Sequence, residues 1–293
     1  VPVNKKMTVS GGSGILTLGG TVTFKNKSQF ILNSLQTEVR GTFDFSSENT
    51  LDVQQSVNFQ SSRSIWKNGI IQIANGVTLG FVGFEDNLFE TEGTLTKTGG
   101  AMSWGDNVTW TLSDDTSYSS DTAITTKKLA LNNHLLTLGT AGSDISVTDN
   151  MTFDNSSEQI NTGLADLSLE GGLILEEGKI TSTGGIVYLE KGGKQSGGIL
   201  DISDSTLKLG ESFTKTAGTL TTTDDGTILE LMKNLTVSSD SSLNFYQVAL
   251  NNNTLTLGSE STDLQVSSAL TLDNSNERVM TGAADFVSLA SLD

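Results

Sequence analysis

A 36-residue stretch of the sequence occurs twice, and this duplication constrains the fold more than any other feature. Residues 131–166 align without a gap to residues 250–285, at an offset of 250 − 131 = 119 residues. Of the 36 positions 18 are identical, and others exchange similar apolar residues, such as Ile145 for Leu264. Self-similarity at a fixed spacing is typical of repeat proteins. We therefore expect a repeat array.

The repeating unit must be shorter than 119 residues, because structural repeats span roughly 20–50 residues. Short apolar runs alternate with polar residues at a period of two, as in LTL at residues 255–257 and 270–272. Glycine and polar clusters separate these runs in the C-terminal half at intervals of roughly 20 residues, the lower end of that range. The clusters fall at Gly178, Gly197, Ala217, Asp240, Glu260 and Thr281.

An interval of about 20 residues that holds two or three strands fits one coil of a parallel β-solenoid. Apolar residues at every second position lie on one face of a strand, whereas a helix needs spacings of three and four. The 31 glycines and the abundant threonine also oppose helices. The sequence therefore predicts an all-β, single-stranded parallel β-helix with coils of about 20 residues.

A solenoid changes what the chain length implies about domains. A chain of 293 residues would ordinarily suggest more than one domain, but a solenoid lengthens without a thicker core because each coil contacts only its neighbours. We expect residues 1–293 to form one elongated domain of about 14 coils, stacked roughly 4.8 Å apart. Neither end offers a helix to cover exposed strand edges, so we also expect an internal piece of a longer solenoid.

The composition argues against several classes of partner. The chain has 34 acidic and 17 basic residues, a formal net charge of −17, which disfavours nucleic acid and anionic membrane surfaces. It has no cysteine, and no apolar stretch approaches the ~18–20 residues of a membrane span. We expect no nucleic-acid partner, no membrane insertion and no thiol chemistry.

All three tryptophans, Trp66, Trp104 and Trp110, fall within residues 64–112. Such a concentration can form an exposed platform for sugar rings, or it can fill the interior of wide coils. We favour the second interpretation, because aromatic side chains dominate core burial.

A second phrase recurs in the sequence. EGTLTKTGG at residues 92–100 returns as EGKITSTGG at residues 177–185 and as ESFTKTAG at residues 211–218. The glycine pairs fit tight corners, where a coil turns into its next strand. Ranks of outward threonine can match an ice lattice, but these ranks are not sustained from coil to coil.

No group of residues in the sequence assembles a catalytic site. The sole histidine, His134, aligns with Asn253 of the duplicate, which predicts an ordinary corner position. Adjacent carboxylates lack a basic companion at a comparable strand position and fit solvated turns. We therefore predict no enzyme, and we assign no catalytic, cofactor-binding or metal-binding residue. The carboxylate pairs are Asp114–Asp115, Glu176–Glu177 and Asp224–Asp225.

We expect no cofactor, and calcium is the alternative that we considered. Aspartates at matching positions of the duplicated block can offer oxygen ligands, but the nonapeptide of calcium β-rolls and the EF-hand spacing are absent. The asparagines at 132–133 and 251–253 suggest corners with stacked side-chain amides. The six aspartates are Asp144, Asp154, Asp166, Asp263, Asp273 and Asp285.

The phrase LNNNTLTLG at residues 250–258, with recurrent L-T-L, Gly-Gly and Asp-Asn-Ser elements, resembles a known class of repeat. It is similar to the β-strand-repeat regions of large bacterial surface and secreted proteins of the adhesin, haemagglutinin and autotransporter-passenger type. The resemblance implies a right-handed β-helix, an extracellular or cell-surface location, and neighbouring segments of the same parent chain as partners. It also implies contact with cell-surface glycans or other cells, and no catalytic residues.

The predicted function is a structural or adhesive, non-catalytic extracellular rod segment of a larger bacterial repeat protein. One alternative is a carbohydrate-binding or carbohydrate-cleaving β-helix that uses the aromatic residues of 64–112 and nearby carboxylates. A further alternative is a segment of a phage fibre, which would have to form trimers. Exposure of the tryptophans in a line would favour the first alternative, and the oligomeric state distinguishes the second.

Overall fold

A computed structural model describes residues 2, 4–10, 15–24, 28–33, 36–46, 48–59, 63–82, 87–223 and 225–289. The structure is 64% strand, without a helix in the described ranges, and its parallel sheets stack as a β-solenoid of about 12 turns with coils of about 21 residues. The predicted fold class is confirmed. The turns are fewer than the expected 14, and the coil length is close to the expected 20 residues. The handedness stays a prediction.

The chain divides into two compact units, Val1–Ser146 and Val147–Asp293. That residues 1–293 form one domain therefore stays a prediction. Among the described residues, no helix is long and apolar enough to cross a membrane.

The strands of the first unit are short near its end and long in its middle. They are β1 (Lys6–Ser10), β2 (Ile15–Thr23), β3 (Gln29–Asn33), β4 (Gln36–Ser46), β5 (Thr50–Val53), β6 (Val57–Phe59), β7 (Arg63–Phe81), β8 (Asn87–Trp104), β9 (Val108–Ser120), β10 (Ile124–Thr126), β11 (Lys128–Ala130) and β12 (Leu135–Leu138). Strand β13 (Ile145–Val147) includes the boundary between the units in sequence.

The strands of the second unit are mostly three to five residues long. They are β14 (Met151–Phe153), β15 (Gln159–Gly163), β16 (Leu167–Leu169), β17 (Leu173–Leu175), β18 (Lys179–Ser182), β19 (Ile186–Leu189), β20 (Gly193–Asp201), β21 (Thr206–Leu209), β22 (Phe213–Thr221), β23 (Ile228–Leu231), β24 (Leu235–Ser238), β25 (Leu243–Ala249), β26 (Thr254–Leu257), β27 (Leu264–Thr271), β28 (Arg278–Met280) and β29 (Phe286–Ser288).

Strands of successive coils pair in parallel. In the first unit β2 pairs with β4, and Ile15 lies opposite Gln36 of the next coil. In the second unit β19 pairs with β21, and Ile186 lies opposite Thr206 of the next coil. The backbone hydrogen bonds of each coil are thus made to the coils on either side.

Alternation places every second side chain in the interior, as in β5, β12 and β21, where the second and fourth residues are buried. The first unit fills this space with stacked rings: Phe45 lies 4.4 Å from Phe24 on one side and 4.4 Å from Trp66 on the other, between ring centroids. In the second unit the same positions are mostly aliphatic, as for the buried Leu207 and Leu229.

The asparagine corners of the duplicated block have the same backbone geometry in both copies. Asn132 and Asn133 have φ angles of 49° and 68°, and Asn251 and Asn252 have φ angles of 50° and 66°. Asparagine tolerates this left-handed region better than most residues. The Nδ2 atoms of Asn132 and Asn251 donate to main-chain carbonyls of the preceding coil, at 3.1 Å and 3.2 Å. These two side-chain amides therefore bind the main chain of the preceding coil, which differs from the expected ladder of stacked side-chain amides.

Glycine is required at the corners that end the TKT phrases. Gly99 has a φ angle of 80°, and a Cβ atom there would lie 1.8 Å from the carbonyl oxygen of Ile73. Gly218 has a φ angle of 83°, and its Cβ atom would lie 2.2 Å from the oxygen of Gly197. Both positions therefore need a residue without a Cβ atom.

Candidate functional site

The tryptophans lie in the interior of the first unit, where the packing interpretation places them. Trp66 and Trp110 are fully buried, and Trp104 is half-buried. The indole Nε1–H of Trp110 donates to the hydroxyl of Thr91 at 2.9 Å. Trp104 and Trp110 stack on each other, with ring centroids 5.9 Å apart and an interplanar angle of 13°. They form no exposed line of rings for a sugar chain.

The six aspartates proposed as calcium ligands are spread over the corners. Asp166 accepts a hydrogen bond from the Ile186 N–H at 2.8 Å, and Asp263 accepts one from the Asp285 N–H at 2.9 Å. Asp154 and Asp273 are exposed. In the part of the chain that the structure describes, none of the six belongs to a group of three possible ligand residues within 4.8 Å of one another.

The carboxylate pairs differ from one another in the structure. Glu176 and Glu177 are exposed between β17 and β18, as expected of turn residues. Asp224 lies outside the described residues. The pair Asp114 and Asp115 instead meets a basic side chain of the next coil.

That basic side chain is His134. Its Nδ1 atom lies 3.9 Å from Oδ1 of Asp114 and 3.7 Å from Oδ1 of Asp115. The side chain of His134 is 29% exposed, and those of Asp114 and Asp115 are 64% and 68% exposed. These three residues, here called the Asp–Asp–His cluster, form the one group of three possible metal ligands within 4.8 Å among the residues described.

Main-chain hydrogen bonds position the Asp–Asp–His cluster. Oδ1 of Asp114 accepts the Asp115 N–H at 2.8 Å, and Oδ1 of Asp115 accepts the Leu135 N–H at 2.9 Å. The N–H of His134 donates to the Leu131 carbonyl at 3.0 Å, which closes the asparagine corner. The sequence contained a signal for this cluster, because one coil of roughly 20 residues separates positions 114 and 115 from positions 134 and 135.

The duplicated block provides an internal comparison for the cluster. At the offset of the duplication, Lys233, Asn234 and Asn253 replace Asp114, Asp115 and His134. Asn234 Oδ1 accepts the Thr254 N–H at 2.8 Å, the same bond that Asp115 makes with Leu135. The Asn253 N–H donates to the Leu250 carbonyl at 3.0 Å, as His134 does to Leu131. The corner therefore folds without either carboxylate or the imidazole.

An open groove of about 240 Å³ lies beside the cluster. Asp115 and Leu135 form part of its wall. The hydroxyl-bearing Thr94, Ser117 and Thr137 form another part, at paired positions of three successive coils. One residue of the cluster, Asp115, thus borders a solvent-accessible space.

Each unit also contains a buried lysine in a TKT phrase. Lys97 is fully buried, and its Nζ donates to the Gly99 carbonyl at 2.8 Å and to Asp121 Oδ1 at 3.3 Å. Lys215 is buried in the same manner and pairs with Asp240 of the following coil. The alternation in the sequence indicates this burial, because Lys97 lies two residues after the inward Leu95 and therefore on the same face of the strand.

The buried lysine and its partner have shifted pKa values. Burial lowers the pKa of the Lys97 amine, although the nearby Asp121 opposes this shift. Partial burial by itself would raise the pKa of Asp121, but the Gly99 N–H and the Lys97 ammonium outweigh it and hold that pKa below its usual range. The Gly99 N–H donates to Asp121 Oδ2 at 2.7 Å. We infer that the ion pair of Lys97 and Asp121 stabilises the corner.

Comparison with known proteins identifies no relative of this chain. No family model, no curated protein and no solved structure matches it. The β-solenoid arrangement is shown by the structure. The link to adhesins, haemagglutinins and autotransporter passengers stays a prediction.

Proposed function

We propose that this chain is a structural, non-catalytic segment of a bacterial surface or secreted repeat protein, which spaces or presents a binding region outside the cell. The observation that supports this proposal most is the use of the interior: among the described residues, inward side chains of successive coils stack, as Phe24, Phe45 and Trp66 do. Repeat arrays of this kind extend by adding coils, because each coil is stabilised by its neighbours.

The positions of the polar groups also support a structural role. The carboxylates Asp166 and Asp263 bind backbone N–H groups of the following coil. Lys97 and Lys215 are buried against the corners of their own units.

The carbohydrate alternative has less support than it had from the sequence. It depends on aromatic rings that a sugar can stack on, and Trp66 and Trp110 are fully buried. The phage-fibre alternative depends on trimer formation, which solution measurements test directly.

Small-angle X-ray scattering combined with light scattering tests the spacer proposal. A compact chain of this length would have a radius of gyration of about 19 Å. We expect a clearly larger value at monomeric mass. A value near that of a compact protein would contradict a spacer, and a trimeric mass would favour the fibre alternative.

The adhesive and catalytic possibilities need separate assays. Beads coated with the chain should bind cells or immobilised glycans better than beads coated with an unrelated protein of similar negative charge. Incubation with polysaccharides should release no reducing ends. Release of reducing ends would contradict the non-catalytic proposal and favour a carbohydrate-cleaving β-helix.

A further inference from the structure

We propose that Asp114, Asp115 and His134 bind one divalent transition-metal cation of the Zn²⁺ type. The cluster offers one imidazole nitrogen and two carboxylate oxygens, all within 4.8 Å of one another. Imidazole and carboxylate are established zinc ligands, and three protein ligands with an open fourth position form a common zinc arrangement. This inference does not depend on the proposed spacer role.

The distances in the cluster fit a shared cation better than direct hydrogen bonds. The Nδ1 atom of His134 is 3.9 Å and 3.7 Å from the two carboxylate oxygens, beyond the usual 2.7–3.2 Å of an N–H···O bond. Ligand atoms around a tetrahedral zinc lie roughly 3.4 Å apart, given bond lengths of about 2.0–2.2 Å. The two observed distances exceed this spacing by about 0.5 Å or less.

The imidazole determines the class of cation. Calcium and magnesium prefer ligand sets made of oxygen atoms, whereas imidazole suits zinc, copper, nickel and iron. His134 is the only histidine in the chain. The cluster therefore favours a transition metal over the calcium that the spread of aspartates suggested.

The comparison with the second copy shows that the fold does not require these three side chains. The matching corner keeps the same hydrogen bonds to the backbone with Asn234 and Asn253. It has Lys233 at the position that matches Asp114, and the Nζ of Lys233 lies 3.1 Å from Glu211. A cationic side chain there would repel a metal ion, so the second corner is a natural non-binding control.

The open groove gives the bound cation access to further ligands. It is about 240 Å³ in volume and borders Asp115. Water, or a carboxylate or hydroxyl group of another molecule, can complete the coordination from this side. The hydroxyls of Thr94, Ser117 and Thr137 line the same groove.

The test is a zinc titration of the full chain, prepared without a polyhistidine tag and treated with chelator. Isothermal titration calorimetry should give a stoichiometry of one Zn²⁺ per chain. The NMR resonances of the His134 imidazole should change their chemical shifts when zinc is added. The variants His134→Asn and Asp115→Asn copy residues that the second corner already tolerates. Each should weaken binding by more than the roughly 10–100-fold typical of removing a supporting hydrogen-bond partner. Asp154→Asn, at an exposed aspartate outside the cluster, should bind as the native chain does.

A reciprocal variant tests whether these three side chains suffice. Lys233→Asp, Asn234→Asp and Asn253→His together should raise the stoichiometry from one to two Zn²⁺ per chain, with an unchanged circular dichroism spectrum. The proposal is overturned if the native chain binds no zinc, if His134→Asn binds zinc as tightly as the native chain, or if the folded reciprocal variant gains no site. Calcium binding as tight as that of zinc would overturn the assignment to transition metals.

Discussion

Trp66 shows how much single aromatic side chains contribute to the first unit. Its ring stacks on Phe45 at 4.4 Å and lies 5.8 Å from Phe89, and the side chain is fully buried. We expect Trp66→Ala to lower the free energy of unfolding by about 3–5 kcal/mol, because a large cavity replaces the indole. Urea unfolding followed by circular dichroism measures this loss.

The control for Trp66 lies on the same strand. Gln72 of β7 points outward and is exposed. Gln72→Ala should change the free energy of unfolding by less than about 0.5 kcal/mol. Equal effects of the two substitutions would contradict the assignment of Trp66 to the core.

The buried Lys97 gives a second prediction at this scale, in which the order of two variants is the result. We expect Asp121→Ala to destabilise the chain more than Lys97→Met does. Removing the carboxylate leaves a buried ammonium without its counter-charge, whereas methionine keeps the volume and removes the charge. Thermal unfolding of both variants gives the order, and a larger loss for Lys97→Met would show that the ion pair itself is strongly stabilising.

At the scale of the element, the asparagine corner should behave alike in both copies. Asn133 and Asn252 have φ angles of 68° and 66°, in the left-handed region. We expect Asn133→Ala and Asn252→Ala each to lower the free energy of unfolding by about 1 kcal/mol, because the left-handed conformation is less favourable for alanine than for asparagine. Chemical denaturation measures both values.

Glycine provides the matched control at the same positions. Asn133→Gly and Asn252→Gly remove the side chain without the steric penalty at positive φ. They should therefore be less destabilising than the alanine variants. Corners that respond differently would mean that the duplicated sequence does not form the same element twice.

The sequence predicted the coils because their signal is local. A period of two along residues 255–257, with glycine or polar clusters roughly every 20 residues, requires no knowledge of distant contacts. The same alternation, extended from Leu95 to Lys97, would have placed that lysine inside. It was missed because charged side chains are rarely buried without a partner.

The meeting of His134 with Asp115 was harder to predict for a physical reason. The length of each coil decides which side chains of neighbouring coils meet. The spacing between the glycine and polar clusters is uneven, because Gly197 and Ala217 are closer in sequence than Ala217 and Asp240. A shift of even one residue moves a side chain to the other face of its strand. Contacts along one strand could thus be derived from sequence, and contacts between coils needed the structure.

At the scale of the whole molecule, stability should fall in acid. Lys215 lowers the pKa of Asp240 through a hydrogen bond, and the backbone N–H groups of Asn252 and Asn274 lower that of Glu277. Unfolded aspartate and glutamate titrate near 3.9 and 4.3. Below that range the unfolded chain takes up more protons than the folded one, so stability is present above about pH 4 and is lost as the pH falls further.

The measurement is the melting temperature as a function of pH. Asp121, whose pKa is also lowered, should act in the same direction as Asp240 and Glu277. A triple variant, Asp121→Asn, Asp240→Asn and Glu277→Gln, should show a smaller fall between pH 5 and pH 3 than the native chain. An identical fall in both proteins would assign the acid sensitivity to other carboxylates.

The placement of the three indoles makes the molecule its own optical reporter. All three tryptophans fall in Val1–Ser146, and none falls in Val147–Asp293. Light at the red edge of indole absorption therefore excites the first unit alone, while peptide absorption records both. Comparing the two signals during denaturation would reveal, without any label, which half of the chain loses its structure first.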